Sequence, residues 1–282
     1  MLLRELVAHA ADKFASVGIE NSQVDAELLA GFVLGKSRGE IQADFITDAT
    51  IDEDQARKFN QLAARRFARE PLQHLTGVAH FRELELFVGK GVFIPRPETE
   101  VVVQLAIDAL RNSSLENPIA IDLGTGSGAI ALSMHVEVEN ARVHAIEKSL
   151  EAFEFTKRNF EKYPGAELVL GDLADAFNAL NGSASVVISN PPYIPAAMVP
   201  IDPEVHLHEP ELALYGGDDG LDVIRVISRV ARRLLIAGGT LVLEHADTQS
   251  AMVCELLLAD GWREVRAHKD LTGRDRAVSA IS

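Results

Sequence analysis

IAIDLGTGSGAIAL, residues 119–132, is the stretch that decides the fold. A short apolar run, Ile119–Leu123, enters the turn Gly124-Thr125-Gly126-Ser127-Gly128 and leaves as Ala129-Ile130-Ala131-Leu132, which reads as the start of a helix. Strand, glycine turn and helix in that order open a βα unit of a parallel sheet. Glycine lets the backbone come close to a ligand. A helix start presents free N–H groups to something negatively charged. Three alternate glycines are more than a turn needs if it only has to turn. Gly124, Gly126 and Ala129 also satisfy the loose G-x-G-x-x-G/A dinucleotide fingerprint, so the loop alone does not choose among nucleotide-bearing cofactors.

Toward the C-terminus the same texture repeats. Further strands are expected at 142–146, Glu167–Leu170, 185–189 and 240–244, with helices at 98–111, 129–136, 149–160, 220–236 and 248–260. Alternation at this spacing predicts a parallel, doubly wound α/β sheet with helices on both faces. Residues 264–269 and 276–281 are candidates for terminal antiparallel strands. Ligands of such sheets bind beyond the carboxyl ends of the strands. Glu147 lies at one such end, roughly 20 residues after the glycine loop, where an acid can bind the ribose hydroxyls of an adenosine-containing cofactor. The alternative for Glu147 is a surface acid paired with Lys148. Asp172, at the next strand end, suits either the exocyclic amine of adenine or a helix N-cap.

Toward the N-terminus the texture is helical. Leu3, Leu6, Val7, Ala10 and Phe14 recur at helical spacing. Asn21 or Ser22 caps a second helix that Gly35 ends. Thr50-Ile51-Asp52-Glu53 reads as a capping box opening a third, with Phe59, Leu62, Ala63 and Phe67 as its stripe. Arg57, Lys58, Arg65, Arg66 and Arg69 on that helix read as a solvated face or as a docking surface for an acidic partner. Residues 81–86 and 91–97 are expected to pair as a hairpin. The expected organisation is a helical-bundle domain at 1–74, a hairpin linker at 75–97 and an α/β domain at 98–282.

Composition narrows the class. The 282 residues hold 42 acids against 27 Lys and Arg, a net charge of −15, which argues against a general nucleic-acid binder. With 47% apolar residues the chain can bury a core. The single cysteine, Cys254, excludes an intrachain disulfide and a cysteine-based zinc site, and is expected to be buried. His206 and His208 are expected in an exposed loop, so no metal site is expected. No segment is apolar for long enough to span a bilayer, and a cytoplasmic chain is expected.

The most specific signal is Asn190-Pro191-Pro192-Tyr193, after the apolar Val186-Val187-Ile188. Two prolines remove two backbone donors. What remains is a set of acceptors, the Asn190 side-chain oxygen and backbone carbonyls, followed by an aromatic ring. That combination suits a planar NH₂ group: acceptors for its hydrogens and Tyr193 to stack on its plane.

Together, Asp122-Leu123-Gly124-Thr125-Gly126-Ser127-Gly128 and Asn190-Pro191-Pro192-Tyr193 resemble the S-adenosylmethionine-dependent methyltransferases directed at amino groups. Over nearly the full chain the sequence resembles the protein-(glutamine-N5) methyltransferase family that modifies peptide chain release factors. Glu70-Pro71-Leu72-Gln73-His74-Leu75-Thr76-Gly77, Phe93-Ile94-Pro95-Arg96-Pro97-Glu98-Thr99-Glu100, Glu209-Pro210-Glu211-Leu212-Ala213-Leu214, Asp219-Gly220-Leu221 and Gly273-Arg274-Asp275-Arg276 carry that likeness. It implies a Rossmann-like S-adenosylmethionine-binding sheet behind a small helical-bundle domain that recognises the release factor. The acceptor would be the Gln of the Gly-Gly-Gln motif, and S-adenosylhomocysteine the product. It further implies that Asp122, Gly124, Thr125, Gly126, Ser127, Gly128, Glu147, Asp172, Leu173 and Asn190 bind the cofactor. Asn190, Pro191, Pro192 and Tyr193 would hold the substrate amide, with Asn190, Pro191 and Tyr193 catalytic. Leu173 stands where some members have an aromatic, and no general base is evident. The likeness implies no direct contact with nucleic acid or membrane, and a monomer. Residues 194–218 form a long connection expected to contact the release factor. The rival readings are a glutamine methyltransferase acting on a ribosomal protein, an adenine-N6 nucleic-acid methyltransferase, a nicotinamide dehydrogenase and a non-catalytic binding module.

Overall fold

A computed structural model describes residues 1–282. Two compact units result: residues 1–78 with 201–208, and residues 79–200 with 209–282.

The first unit is helical: α1 (Leu3–Ser16), α2 (Ser22–Leu34), α3 (Arg38–Ile46), α4 (Glu53–Phe67) and α5 (Leu72–Thr76). The spacing of Leu3, Leu6, Val7, Ala10 and Phe14 does produce one buried stripe on α1, packed with Leu29, Ile41 and Phe59. Gly35 ends α2 in the left-handed region at φ 65°, as its sequence position predicts, while Asn21 makes no side-chain cap. The pattern reading missed α3, which buries only Ile41 and so has no stripe. Its signal is the capping box Ser37…Glu40, in which each residue's side chain accepts the other's backbone N–H. The α4 cap is Asp52 rather than Thr50. The Asp52 carboxylate accepts from the Gln55 N–H at 2.8 Å, whereas Thr50 lies in an isolated bridge to Leu2.

Of the basic residues expected on α4, Arg57, Lys58 and Arg65 are exposed, whereas Arg66, and Arg69 just past the helix end, turn into this unit. Arg66 is buried: Nε meets Asp25 Oδ2 and Nη1 meets Glu204 Oε1, each at 2.8 Å, and Nη1 also donates to the Glu70 carbonyl at 3.1 Å. Arg69 lies 3.2 Å from both Asp202 and Glu204, Arg65 pairs with Glu70 at 2.5 Å, and Arg57 pairs with Asp54. Glu204 stands on a short helix, α9 (Pro203–His208), so His206 and His208 are helical rather than in an irregular loop. His206 is exposed as expected and His208 half-buried, while Asp202 and Glu204 tie this segment to Arg66 and Arg69.

The second unit opens with a hairpin, β1 (Val78–Phe81) and β2 (Leu84–Phe87), turned at Arg82 with φ 50°. Residues 81–86, expected as one strand, instead contain the turn at Arg82-Glu83, and residues 91–97 form no strand. Pro95 and Pro97 cannot donate to a ladder, and Val92 and Ile94 instead bury against Ala79, Val88 and Ala152. The chain then runs α6 (Thr99–Arg111), β3 (Ile119–Leu123), α7 (Ala129–Glu137), β4 (Arg142–Glu147), α8 (Leu150–Lys162), β5 (Glu167–Leu170), β6 (Ala184–Ser189), α10 (Asp222–Leu234), β7 (Leu235–Glu244), α11 (Ser250–Ala259), β8 (Arg263–Lys269) and β9 (Asp275–Ile281).

These form a seven-stranded sheet of order β5-β4-β3-β6-β7-β9-β8. The first five are parallel, and β9 and β8 close the edge antiparallel, where residues 276–281 and 264–269 were candidates for such strands. One face is covered by α6, α7 and α8 through Val103, Ile107, Leu132 and Phe160, and the other by α10 and α11 through Ile224, Ile227, Val253 and Leu257. Cys254 is only half-buried in the second layer. The chain runs outward from β3 to β5 and returns at β6 beside β3, so the order reverses between those two strands. Their carboxyl ends flank the crevice where open α/β sheets take ligands. No helix is long and apolar enough to cross a membrane.

Because Arg66 is buried between two carboxylates, Arg66→Met is expected to destabilise the helical unit by about 3–5 kcal/mol. Reduced hydrogen-exchange protection in α1, α2 and α4 is the measurement that checks it.

Candidate active site

The turn between β3 and α7 carries three glycines in the left-handed region, Gly124 at φ 77°, Gly126 at 57° and Gly128 at 88°. At Gly128 the need is also steric, since a Cβ would sit 2.9 Å from the Phe160 ring. At Gly124 and Gly126 no protein atom would lie within 4 Å of a Cβ, so the requirement there is conformational.

Two carboxylates brace the turn. Asp122 is fully buried, and its Oδ2 accepts from the Thr125 hydroxyl at 2.6 Å and the Ala131 N–H at 3.1 Å. Burial pushes its carboxyl up to about 7 against the pull of those two bonds, and the nearby Glu147 charge adds to the rise. Glu147, at the end of β4, takes the Gly126 N–H at 2.8 Å on Oε2, and the Lys148 and Ser149 N–H groups at 2.8 and 2.7 Å on Oε1. Its charge is thus held by backbone dipoles alone. The Lys148 ammonium goes instead to Asp172 Oδ2 at 2.8 Å, and Asp172 Oδ1 caps the following turn at the Ala174 N–H, 2.9 Å away. The Lys148 contact holds Asp172 below its ordinary pKa. Leu173 packs partly buried against the second apolar layer.

Sequence reading did not single out α8 as a support for this loop. The Thr156 hydroxyl donates to the Gly126 carbonyl. The buried Asn159 amide accepts from the Phe87 N–H at 2.7 Å and donates to the Ser127 carbonyl at 2.9 Å and the Phe87 carbonyl at 3.0 Å. One side chain thereby ties the loop to the hairpin. Its signal was only two polar residues, three apart, on the inner side of an amphipathic helix.

Across the switch point, β6 ends at Ser189, whose hydroxyl donates to the Leu123 carbonyl at 2.5 Å. This bond joins the strand that leads to Asn190-Pro191-Pro192-Tyr193 to the strand that leads to the glycine loop. Asn190 is half-buried, and its Nδ2 donates to Thr99 Oγ1 at 3.4 Å. Tyr193 points its hydroxyl at Glu244 Oε1, 3.5 Å away, and burial raises the phenol above its ordinary pKa. Gln249 donates to the Tyr193 carbonyl at 2.9 Å. The returning part of the 194–218 connection lies against the same motif. Ile194 N–H donates to the Leu214 carbonyl at 2.8 Å and Gly216 N–H to the Ile194 carbonyl at 2.9 Å. A Cβ at Gly216 or Gly220 would come within 2.5 or 2.2 Å of the Pro192 or Tyr193 carbonyl oxygen.

Glu244 was also missed by sequence reading. It closes β7 after Leu241-Val242-Leu243, 2% exposed, and burial pushes its carboxyl up to about 7 against the influence of Thr99 and Arg276. An acid ending an otherwise apolar strand was the available signal. On the other flank, Arg96 of the Pro95-Arg96-Pro97 segment meets Glu209 at 2.6 Å and lies over the Phe93 ring.

The fold and its paired strand-end loops are those of a methyltransferase. Residues 84–200 match the family model described as the methyltransferase small domain, and residues 5–77 match the one described as the PrmC N-terminal domain. The chain is similar to proteins named release factor glutamine methyltransferase from Streptomyces coelicolor and Bifidobacterium longum. The first is 47% identical, spanning 99% of this chain and 98% of that one. The second is 40% identical, spanning 100% of both. A 4-amino-L-phenylalanine/4-methylamino-L-phenylalanine methyltransferase from Streptomyces pristinaespiralis is 35% identical over 99% of this chain and 94% of its own. The chain belongs to the family of release factor glutamine methyltransferases, and it is an S-adenosylmethionine-dependent enzyme.

The raised Asp122 pKa has a signed consequence for stability. Between the ordinary 3.8 and about 7 the folded chain holds a proton that the unfolded chain releases. This contribution is therefore fully present below that lower value and is lost as the pH rises toward the upper one. Asp122→Asn is expected to flatten the fall of the denaturant midpoint across that interval, read from the fluorescence of Trp262, the one tryptophan.

Proposed function

We propose that the chain methylates the side-chain amide nitrogen, N5, of the glutamine in the Gly-Gly-Gln motif of peptide chain release factors, releasing S-adenosylhomocysteine. The observation that carries this reading is the placement of Asn190-Pro191-Pro192-Tyr193 at the end of β6, directly across the switch point from the glycine loop of β3.

The residues at the loop fit the cofactor. Three left-handed glycines keep the backbone low, and Glu147 is oriented by three backbone N–H groups with no cation spent on it. Gly124, Gly126 and Gly128 would face the methionine half, Glu147 the ribose, and Asp172, Leu173 and Asn190 the adenine or sulfonium end. Asp122, Thr125 and Ser127 are turned inward or buried, so their part is to shape the loop. When bound, the cofactor supplies a methyl group on a positively charged sulfur, already a strong electrophile.

What the protein must do is align a poor nucleophile, because the amide lone pair is delocalised into its carbonyl. Orientation of two reactants for in-line displacement contributes about 7–11 kcal/mol. Asn190 Oδ1 and the Pro191 carbonyl would accept the two amide hydrogens. Positive charge developing on nitrogen strengthens those bonds in the transition state, which makes the clamp catalytic as well as binding. The extra proton leaves to water after transfer. Tyr193 contributes its ring face only within the limit set by its hydroxyl, which is anchored on Glu244.

Residues 1–78 with 201–208, rather than 1–74 alone, take the release-factor recognition role, and residues 79–200 with 209–282, which include the expected hairpin linker, the chemistry. The match of residues 5–77 to the family's N-terminal domain supports the first assignment. The net charge of −15 supports a protein rather than a nucleic-acid acceptor.

Intact-peptide mass mapping of a release factor after reaction is expected to place one methyl on the Gly-Gly-Gln glutamine. A methyl on a ribosomal protein, on nucleic acid or on added 4-amino-L-phenylalanine in its place would overturn the substrate assignment. Asn190→Ala is expected to lower kcat by roughly 100-fold or more while S-adenosylhomocysteine affinity stays within about tenfold. Glu147→Ala should weaken that affinity in calorimetry, and unchanged binding would sink the ribose contact.

A further inference from the structure

We propose that Thr99 and Glu244 are positioning residues for methyl transfer, fixing which way round the Asn190 side-chain amide stands. This rests on the reading of Asn190 as the amide acceptor.

The oxygen and nitrogen ends of an asparagine are nearly alike in shape and opposite in hydrogen bonding. Only the oxygen end can receive the hydrogens of a substrate NH₂. Turned round, Asn190 would present its own NH₂ to that group, two donors face to face. Something must therefore hold one orientation, and the neighbour that touches the Asn190 amide is the Thr99 hydroxyl, 3.4 Å from Nδ2.

A hydroxyl can donate or accept, so Thr99 by itself does not choose. It has one proton, and what claims that proton decides the matter. Thr99 is 3% exposed at the first position of α6. It lies near the Glu244 carboxylate, whose pKa it pulls down. Glu244 Oε1 also takes the Tyr193 hydroxyl at 3.5 Å, while Oε2 has no donor in full hydrogen-bond geometry. A buried carboxylate short of donors draws the single Thr99 proton toward itself. The Thr99 lone pair then faces Asn190 and takes Nδ2–H, and Oδ1 is left on the opposite side, available to the substrate.

The same chain of donors gives a pH signature. The groups facing Glu244 are Thr99 and Glu98 from the start of α6, Tyr193 from the loop after β6, and Arg276 from β9. Glu98 favours the protonated form and Arg276 the charged one. Once protonated, Glu244 can donate to Thr99, which frees the Thr99 proton for Asn190 and favours the reversed amide. Turnover in the wild-type chain is therefore expected to rise with pH through about 7, where burial places the Glu244 carboxyl.

The test is steady-state methylation of a full-length release factor by the intact chain, with S-adenosylhomocysteine calorimetry alongside. Thr99→Val keeps the shape and removes the hydroxyl. It is expected to lower kcat roughly tenfold or more while S-adenosylhomocysteine Kd stays within about twofold, and Thr99→Ser to recover kcat to within about threefold of wild type. Glu244→Gln is expected to lose the rise of kcat through pH 7. The relay is overturned if Thr99→Val turns over normally, or if Thr99→Ser is as impaired as Thr99→Val. Should Thr99→Val no longer bind S-adenosylhomocysteine, Glu244→Gln decides alone, and a retained pH rise overturns the proposal. Asn190→Ala separates the two levels: normal turnover there removes the acceptor reading itself, whereas lost turnover with an indifferent Thr99 removes only the relay.

Discussion

Gly124, Gly126 and Gly128 hold the backbone at φ values of 77°, 57° and 88°, where a side chain with a Cβ is strained. The rest of the α/β unit is arranged to keep that turn in place. Asp122 holds it from below through Thr125 and the first turn of α7. Glu147 holds it from the neighbouring strand through the Gly126 N–H, and Thr156 and Asn159 reach it from α8. Each of these is a buried or half-buried polar group bonded to the loop or to the helix turn that follows it, so loosening any one leaves a polar atom without its bond in an apolar surrounding. A loop braced in this way is held in one shape by its own bonds, which lowers the entropy cost of any binding to it.

The second strand-end loop is built on the same economy of polar groups. Ser189 fastens β6 to the Leu123 carbonyl, so the clamp and the glycine turn share one anchoring bond. Behind the clamp, Thr99, Tyr193 and Glu244 form a buried group with the charge of Arg276 nearby. Pro191 and Pro192 remove donors from the front while Gly216 and Gly220 let the returning connection press against the back. The motif is thereby short of donors and rich in acceptors, the property on which the proposed hold on a planar NH₂ rests.

The acidic character of the chain takes a more local meaning from the helical unit. Arg66 and Arg69 look in sequence like part of an exposed basic face, yet their charges are met by Asp25, Asp202 and Glu204 within the same unit. Asp202 and Glu204 come from more than a hundred residues away, in the connection that follows the clamp. A run of arginines at helical spacing states how much charge there is, but not where its counter-charge lies.

The sequence by itself determined the parts that depend on local chemistry and period. The strand–turn–helix of residues 119–132, the parallel alternation after it, the antiparallel tail, the α2 stop at Gly35 and the two strand-end motifs could all be read because each is encoded within a dozen neighbouring residues. The local signal failed at Thr50, read as the cap where Asp52 takes that place, and at residues 91–97, read as a strand despite Pro95 and Pro97. Only the tertiary structure decided which polar groups meet. The Lys148 side chain went to Asp172 rather than Glu147, Asp122 turned inward, and Glu244 and Thr99 arrived behind Asn190 from a strand and a helix remote in the chain. The physical reason is that burial makes an unpartnered charge or hydroxyl costly wherever it falls, and which partner is within reach is set by strand order and register rather than by neighbours in sequence.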